Sequence, residues 1–311
     1  MSAHPDLLEI SPTVRDALAS GVPVVALEST IIAHGLPRPR NLRAAHDFED
    51  ALTSMGVVPA TIAVLDGRLR VGLDDAGLER VAGDDSVVKS SVRDLPVVMA
   101  AGGSAATTVA ATSFIADLAG IRVFATGGLG GVHRGAATTF DESADLPTLA
   151  QTPIAVVSAG VKSILDVGAT LERLETLGIT VLGFGTTQFP GFWITDSGHP
   201  LDWSVPDAAG VARVLAANDE IGRREAIVVA NPVPVDQQLD PAVHDAALTQ
   251  ALHEAQRRGV SGKAVSPFLL AAMVEVTGGR SLEVNLAIAA HNVRVGGEIA
   301  VAWAERQRLS P

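Results

Sequence analysis

Ile154-Ala155-Val156-Val157-Ser158-Ala159-Gly160-Val161-Lys162-Ser163-Ile164-Leu165-Asp166 sets the fold class. Residues 154–158 form an apolar run of the length expected for a strand buried on both faces. Ala159-Gly160-Val161 reads as a turn, and a helical pattern fills residues 163–177. The same unit recurs outward in both directions. Further strand-like runs lie at residues 22–27, 61–65, 97–100, 121–126, 181–184 and 226–230. Helical patterns occupy residues 41–55, 105–119, 208–221, 242–257 and 281–304. Strands alternating with helices predict an α/β fold with a largely parallel sheet. No fixed-period repeat and no linker-like stretch divides the chain, so residues 1–311 read as a single domain.

Composition narrows the function classes. The 311 residues include 23 Lys and Arg against 35 Asp and Glu, a formal net charge of −12. That balance opposes binding to nucleic acid or to an anionic membrane. Hydrophobic residues make up 47% of the chain, enough for a large core. Cysteine is absent, which removes disulfides, thiolate nucleophiles and Cys-based metal sites. The first fifteen residues show no basic start followed by an apolar stretch, so a cytoplasmic location is expected. Residues 95–125 are apolar but rich in small residues and broken by Asp117 and Arg122, which suits a buried helix and strand rather than a membrane span.

Open α/β sheets bind ligands beyond the carboxyl ends of their strands. Glu28 follows the run 22–27 directly. A carboxyl buried there is held protonated to higher pH and can donate a proton; a paired or capping carboxylate is the structural alternative. Lys89, in Lys89-Ser90-Ser91-Val92-Arg93, suits either a phosphate or a solvated surface. Two small-residue loops, residues 101–108 and 127–135, offer either backbone amides to an anion or close strand–helix packing. Neither is a dinucleotide fingerprint or a P-loop. Asp141-Glu142-Ser143-Ala144-Asp145 offers hard oxygen ligands for Mn²⁺ or Mg²⁺, or an acid-rich helix start. Lys162 comes just before the expected helix, whose Ser163-x-x-Asp166 resembles a capping box. A helix N-terminus disfavours a lysine cation and frees the neutral amine for attack on a sugar or carbonyl carbon. Residues 262–270 lead into a helix, and Asn285 and Asn292 share one face of the next. His46, His199, His244 and His291 have no metal-ligand spacing and read as structural.

Taken in order, these segments resemble the pseudouridine-5′-phosphate glycosidases. The resemblance is carried by Val25-Ala26-Leu27-Glu28-Ser29-Thr30-Ile31-Ile32-Ala33-His34-Gly35 and by Pro59-Ala60-Thr61-Ile62-Ala63. Gly127-Gly128-Leu129-Gly130-Gly131-Val132-His133-Arg134-Gly135, Ser143-Ala144-Asp145-Leu146 and Gly160-Val161-Lys162-Ser163-Ile164-Leu165-Asp166 continue it. Thr277-Gly278-Gly279-Arg280-Ser281-Leu282-Glu283-Val284-Asn285 completes it, so nearly the whole chain is covered. The resemblance implies a homotrimer of three-layer α-β-α sandwiches that reversibly cleaves pseudouridine 5′-phosphate to uracil and ribose 5-phosphate. It implies Glu28 as proton donor, Lys162 as covalent nucleophile and Asp141 as the metal-site residue, with Mn²⁺ the ion. Lys89, Val109, Thr126, His133, Ser143, Ala144, Asp145 and Asn285 are implied as substrate binders, Asn285 at the base.

The chemistry suits these residue types. A C–C glycosidic bond has no heteroatom leaving group, so hydrolysis by paired carboxylates has no entry. A lysine amine that opens the ribose and forms an imine provides one, and the uracil carbon must then gain a proton. Two departures from the family pattern touch substrate binding: Arg93 is the only other cation near Lys89, and Thr187-Gln188 stand where acidic residues are usual. A Schiff-base aldolase or lyase on another sugar phosphate would share Lys162 without uracil contacts. A sugar kinase would need a Gly-x-Gly-Asp segment, which this sequence lacks. A non-catalytic binding protein would have lost the catalytic positions, and all are present.

Overall fold

A computed structural model describes residues 7–260 and 265–309. Its strands are β1 (Leu8–Ile10), β2 (Val24–Leu27), β3 (Val58–Leu65), β4 (Arg68–Val71), β5 (Val88–Ser90) and β6 (Ala105–Thr107), then β7 (Val123–Ala125), β8 (Ala155–Ser158), β9 (Thr180–Phe184), β10 (Ser204–Val205) and β11 (Ile227–Ala230). They join in one sheet ordered β1-β4-β3-β2-β7-β8-β11-β9-β10, with β6 beside β3 and β5 beside β6. Only the pairs that β3 makes with β4 and β6 are antiparallel. The β3–β4 hairpin turns on Asp66-Gly67, both with positive φ (51° and 75°), which an Asp-Gly pair tolerates.

The helices are α1 (Pro12–Ser20), α2 (Arg40–Ser54), α3 (Asp75–Gly83), α4 (Leu95–Ala100), α5 (Val109–Ala119), α6 (Ala136–Thr139), α7 (Asp145–Leu149), α8 (Val167–Thr176), α9 (Ala208–Glu220), α10 (Pro241–Arg257), α11 (Val265–Val276) and α12 (Arg280–Leu309). Strand alternation divides them into two layers. Val24 and Ala26 of β2, with Val156 of β8 and Val228 of β11, pack against α1, α5, α7, α8, α10 and α11. Val25 and Leu27, with Val157 and Val229, pack against α2, α9 and most of α12. The result is the expected three-layer α-β-α sandwich with a largely parallel sheet. Gly296 lets α12 lie close to the sheet, because a Cβ there would meet the Ala125 Cβ at 3.0 Å. No helix among the described residues is long and apolar enough to cross a membrane.

Three local expectations are corrected. Residues 97–100 form not a strand but the end of α4, where Pro96 sits in the first turn and Val97 is 69% exposed. Four apolar residues are too few for periodicity to separate strand from helix. Residues 105–107, expected to be helical, are strand β6, and α5 starts only after its N-cap Thr108. The helix after Lys162 starts at Val167, because Asp166, not Ser163, is its N-cap and accepts the Ala169 N–H. The segment around Gly262 and Lys263 lies outside the described residues.

Candidate active site

The sheet aligns the end of β2 with the ends of its neighbours. Leu27 pairs with Ala125, and Ala125 with Val157. The next residues, Glu28, Thr126 and Ser158, therefore form a row at the carboxyl edge, on the face that carries Ala26 and Phe124. The Thr126 hydroxyl donates to Glu28 Oε1. Ser29 anchors the turn behind Glu28: its buried hydroxyl donates to Ile62 O (2.6 Å) and accepts the Thr107 N–H (2.8 Å). A single π-helical turn, Ile31–Gly35, follows.

Charge gathers around this carboxyl. Glu28 retains some solvent access, but protein crowds its carboxyl, and burial pushes its pKa above the usual 4.5. The Lys162 cation, the Thr126 hydrogen bond and the Lys89 cation pull the other way, while the Asp145 charge adds to the rise. Lys89, on β5, has its pKa lowered by burial first and by the Lys162 cation second. The two lysines, Glu28 and Asp145 thus form one interacting cluster. His34, in the π turn, also senses Lys89: burial and then that cation lower its pKa. His34 lies inside the quoted Glu28–Gly35 motif, yet sequence reading gave it no role.

Lys162 comes to this cluster from a turn, not from a helix end. Val161 bridges to Leu129, and the Lys162 N–H donates to Leu129 O (3.3 Å). With α8 starting at Val167, the expected helix-dipole effect on the amine has no structural basis.

Asp145 acts as a joint. Its buried carboxylate accepts the Ala110 N–H (2.9 Å) and the Gly130 N–H (2.8 Å), tying α5 to the second glycine loop. Ser143 accepts the Asp145 N–H (3.2 Å) and donates its own N–H to Gly131 O (3.0 Å); Ala144 O accepts the Thr148 hydroxyl (2.8 Å). In that loop, Leu129, Gly130, Val132 and His133 all donate their N–H groups inside the protein. A Cβ on Gly130 would meet Asp145 Oδ2 at 2.7 Å. Gly128, Gly130 and Gly131 are therefore held by close packing, since a Cβ on each would approach a neighbour within 3.0 Å. Val109 buries its side chain in the core, so what it offers a ligand is the backbone N–H at the first position of α5.

His133 and Asp141 face each other. The His133 N–H donates to Asp141 O (3.0 Å), and Nδ1 lies 3.8 Å from Asp141 Oδ2. Among the described residues no group of three His, Cys, Asp or Glu side chains could hold a metal ion. One carboxylate beside one imidazole suits a hydrated hard cation that keeps most of its ligands as water or substrate oxygens.

The two asparagines on α12 differ sharply. Asn292 is buried, donates to Thr126 O (2.7 Å) and Gly127 O (3.2 Å), and accepts from Asn231 Nδ2 (2.8 Å). It holds the turn beyond β7 in place. Two helical turns earlier, Asn285 has a buried Oδ1 with no hydrogen-bond partner among the described residues. A buried acceptor left unpaired is costly, and a ligand N–H would satisfy it.

Residues 13–302 match the family described as "Indigoidine synthase A like protein". The chain belongs to this family. A pseudouridine-5′-phosphate glycosidase of Frankia alni is 62% identical over 299 residues, which span 96% of this chain and 83% of that protein. A protein of the same name from Salinispora tropica is 60% identical over 295 residues, 94% of this chain and 91% of that protein. Among solved structures, the chain is similar to the prealnumycin C-glycosynthase AlnA in complex with ribulose 5-phosphate, with TM-score 0.92 and 37% identity over 98% of this chain and all (100%) of that one. An indigoidine synthase A-like protein from Thermotoga maritima MSB8 gives TM-score 0.88 and 36% identity over 98% and 99% of the two chains.

In this indigoidine synthase A-like chain, Glu28, Lys89, Thr126, Asp145 and Lys162 share one electrostatic neighbourhood. His133 pairs with Asp141, and the residue after Val109, Ala110, donates its N–H to the Asp145 joint. His244, read from its lack of metal-ligand spacing as structural, has its Nε2 2.8 Å from Ser163 Oγ, beside Lys162. Eighty-one residues separate the two, and no local pattern signals the contact.

Proposed function

We propose that this chain is an enzyme that reversibly cleaves pseudouridine 5′-phosphate to uracil and ribose 5-phosphate. The observation that carries the reading is a carboxyl with raised pKa, Glu28, sharing its site with the amines of Lys162 and Lys89. The names of relatives at about 60% identity support the substrate. The C-glycosynthase neighbour, holding a pentulose phosphate, supports carbon–carbon bond chemistry on a phosphorylated sugar.

Lys162 attacks C1′, the C1′–O4′ bond breaks and the ring oxygen takes a proton. The nitrogen lone pair then forms the imine as the bond from C1′ to uracil C5 breaks, and Glu28 supplies the proton that C5 gains. Water hydrolyses the imine and frees both Lys162 and ribose 5-phosphate. Lys89, the Val109 N–H, His133 and Ser143-Ala144-Asp145 frame the sugar phosphate, Thr126 holds Glu28, and the unpaired Asn285 Oδ1 accepts a uracil N–H. Asp141, with His133 beside it, would hold Mn²⁺ through water, and the ion would supply a charged template for substrate oxygens.

A homotrimer belongs to this reading; exposed apolar side chains such as Val88 (50%), Val97 (69%) and Phe140 (85%) support burial against other copies. So does the cytoplasm, because a phosphorylated substrate is too strongly charged to cross a membrane unaided. The test is uracil release from pseudouridine 5′-phosphate, together with intact-mass analysis after ribose 5-phosphate and borohydride. The expected result is a reduced pentose-phosphate adduct that Lys162→Ala abolishes along with uracil release. Uracil release at a normal rate by a folded Lys162→Ala protein overturns the reading.

A further inference from the structure

The turn that presents Lys162 is held from both sides. On the sheet side the Lys162 N–H reaches Leu129 O (3.3 Å), and the Asp166 N–H reaches Val132 O (2.9 Å). Within the turn the Leu165 N–H donates to Lys162 O (2.9 Å). On the helix side Ser163 Oγ meets His244 Nε2 at 2.8 Å, with Ser163 5% and His244 3% exposed. Arg134 Nη2 donates to Ser163 O (3.2 Å).

His244 is itself fixed. It sits in the first turn of α10, where the Asp240 carboxylate caps the N–H groups of Ala242 and Val243. Its Nδ1 lies 2.9 Å from Asp245 Oδ1. A carboxylate at Nδ1 selects the tautomer that carries its proton there, which leaves Nε2 as an acceptor for the Ser163 hydroxyl. The Trp193 ring lies 6.2 Å away, and its Nε1–H donates to Ser281 O (3.1 Å). Asp245, His244 and Ser163 thus form a directed chain that ends one residue from Lys162. The Lys162 amine bears on Glu28 and Lys89, whereas the Ser163 hydroxyl reaches α10.

We propose that the Ser163–His244 hydrogen bond positions Lys162 for attack, with His244 acting as a positioning residue through Ser163. The inference rests on Lys162 as the imine-forming amine. A buried hydroxyl–imidazole pair contributes little net stability compared with apolar packing. What it adds is direction: it fixes the turn next to the nucleophile, where displacement by about 1 Å can cost on the order of a hundredfold in rate.

The test follows adduct formation at Lys162 by borohydride quenching and mass spectrometry, over a range of ribose 5-phosphate concentrations, in full-length protein. Ser163→Ala and His244→Leu are expected to lower the limiting rate about tenfold, with the half-saturating concentration within about twofold of wild type. His244→Gln, whose Oε1 can accept the Ser163 proton, is expected to recover most of that rate. Limiting rates in both deletion variants close to wild type overturn the proposal. So does loss of folded signal in those variants, an equal loss of ribose 5-phosphate affinity, or a His244→Gln protein as slow as His244→Leu; each marks a merely structural contact. A wild-type protein that traps no adduct overturns the Lys162 assignment itself, and the inference with it.

Discussion

Thr126 donates its hydroxyl hydrogen to Glu28 across the seam between two adjacent parallel strands. The bond stabilises the ionised carboxyl, while burial favours the neutral acid more strongly. Glu28 is therefore a poised acid, and Thr126 tempers it.

Under the proposed mechanism, cleavage is expected to fall as pH rises through the folded pKa of Glu28. Thr126→Val removes a group that favours the carboxylate, so that pKa climbs further and the alkaline limb moves to higher pH. The profile of kcat/KM against pH for wild type and Thr126→Val measures the shift. Glu28→Gln, which has no proton to give, is expected to lose about 10²–10⁴-fold in cleavage rate.

The same shift fixes a stability trend. A carboxyl with a raised folded pKa favours folding below its unfolded value and loses that contribution as pH rises through the folded value. Once the pH is above both values, the carboxyl is a net cost to folding. Glu28→Gln is expected to raise Tm by about 2–4 °C at pH near 8, with the gain vanishing below the usual carboxylate value of 4.5. Melting curves across that range test the sign.

Asp145→Ala leaves the buried Ala110 and Gly130 amides without their acceptor. The expected loss is about 3 kcal/mol, read as a lower urea midpoint with unchanged slope. Asp145→Asn keeps one acceptor and places an amide NH₂ against the other N–H, so it is expected to rescue stability only in part.

The two α12 asparagines separate by assay. Asn292→Ala removes donors to Thr126 O and Gly127 O and a partner of Asn231, so it lowers Tm. Asn285→Ala removes an acceptor that has no partner among the described residues, so Tm is expected to hold while inhibition by uracil weakens about tenfold. Melting curves paired with uracil inhibition distinguish them.

Chelation tests the metal. A cation held by one carboxylate and water adds little to folding, so removing divalent ions is expected to change Tm by less than about 2 °C. Uracil release is expected to drop in the chelated protein and to return with Mn²⁺. Asp141→Asn abolishes that return.

The α/β class was legible along the chain, because the apolar runs at residues 22–27, 121–126, 154–158 and 226–230 alternate with helical patterns. Burial on both faces writes itself into a strand's own residues. The sequence also placed Glu28 and Lys162 beyond strand ends, since a strand's carboxyl edge can be read along the chain. Tertiary structure decided the rest. Residues 97–100 became helix, and Asp166 rather than Ser163 capped α8. That Asp145 also joins α5 to the second glycine loop was decided when Ala110 arrived from thirty-five residues away. His244 gained its partner from across eighty-one. A hydrophobic period is a local property, written within a few residues. Hydrogen-bond partners, the register that sets Glu28 beside Thr126, and the burial that raises its pKa depend on segments far apart in the chain. They come into being only when the sheet closes.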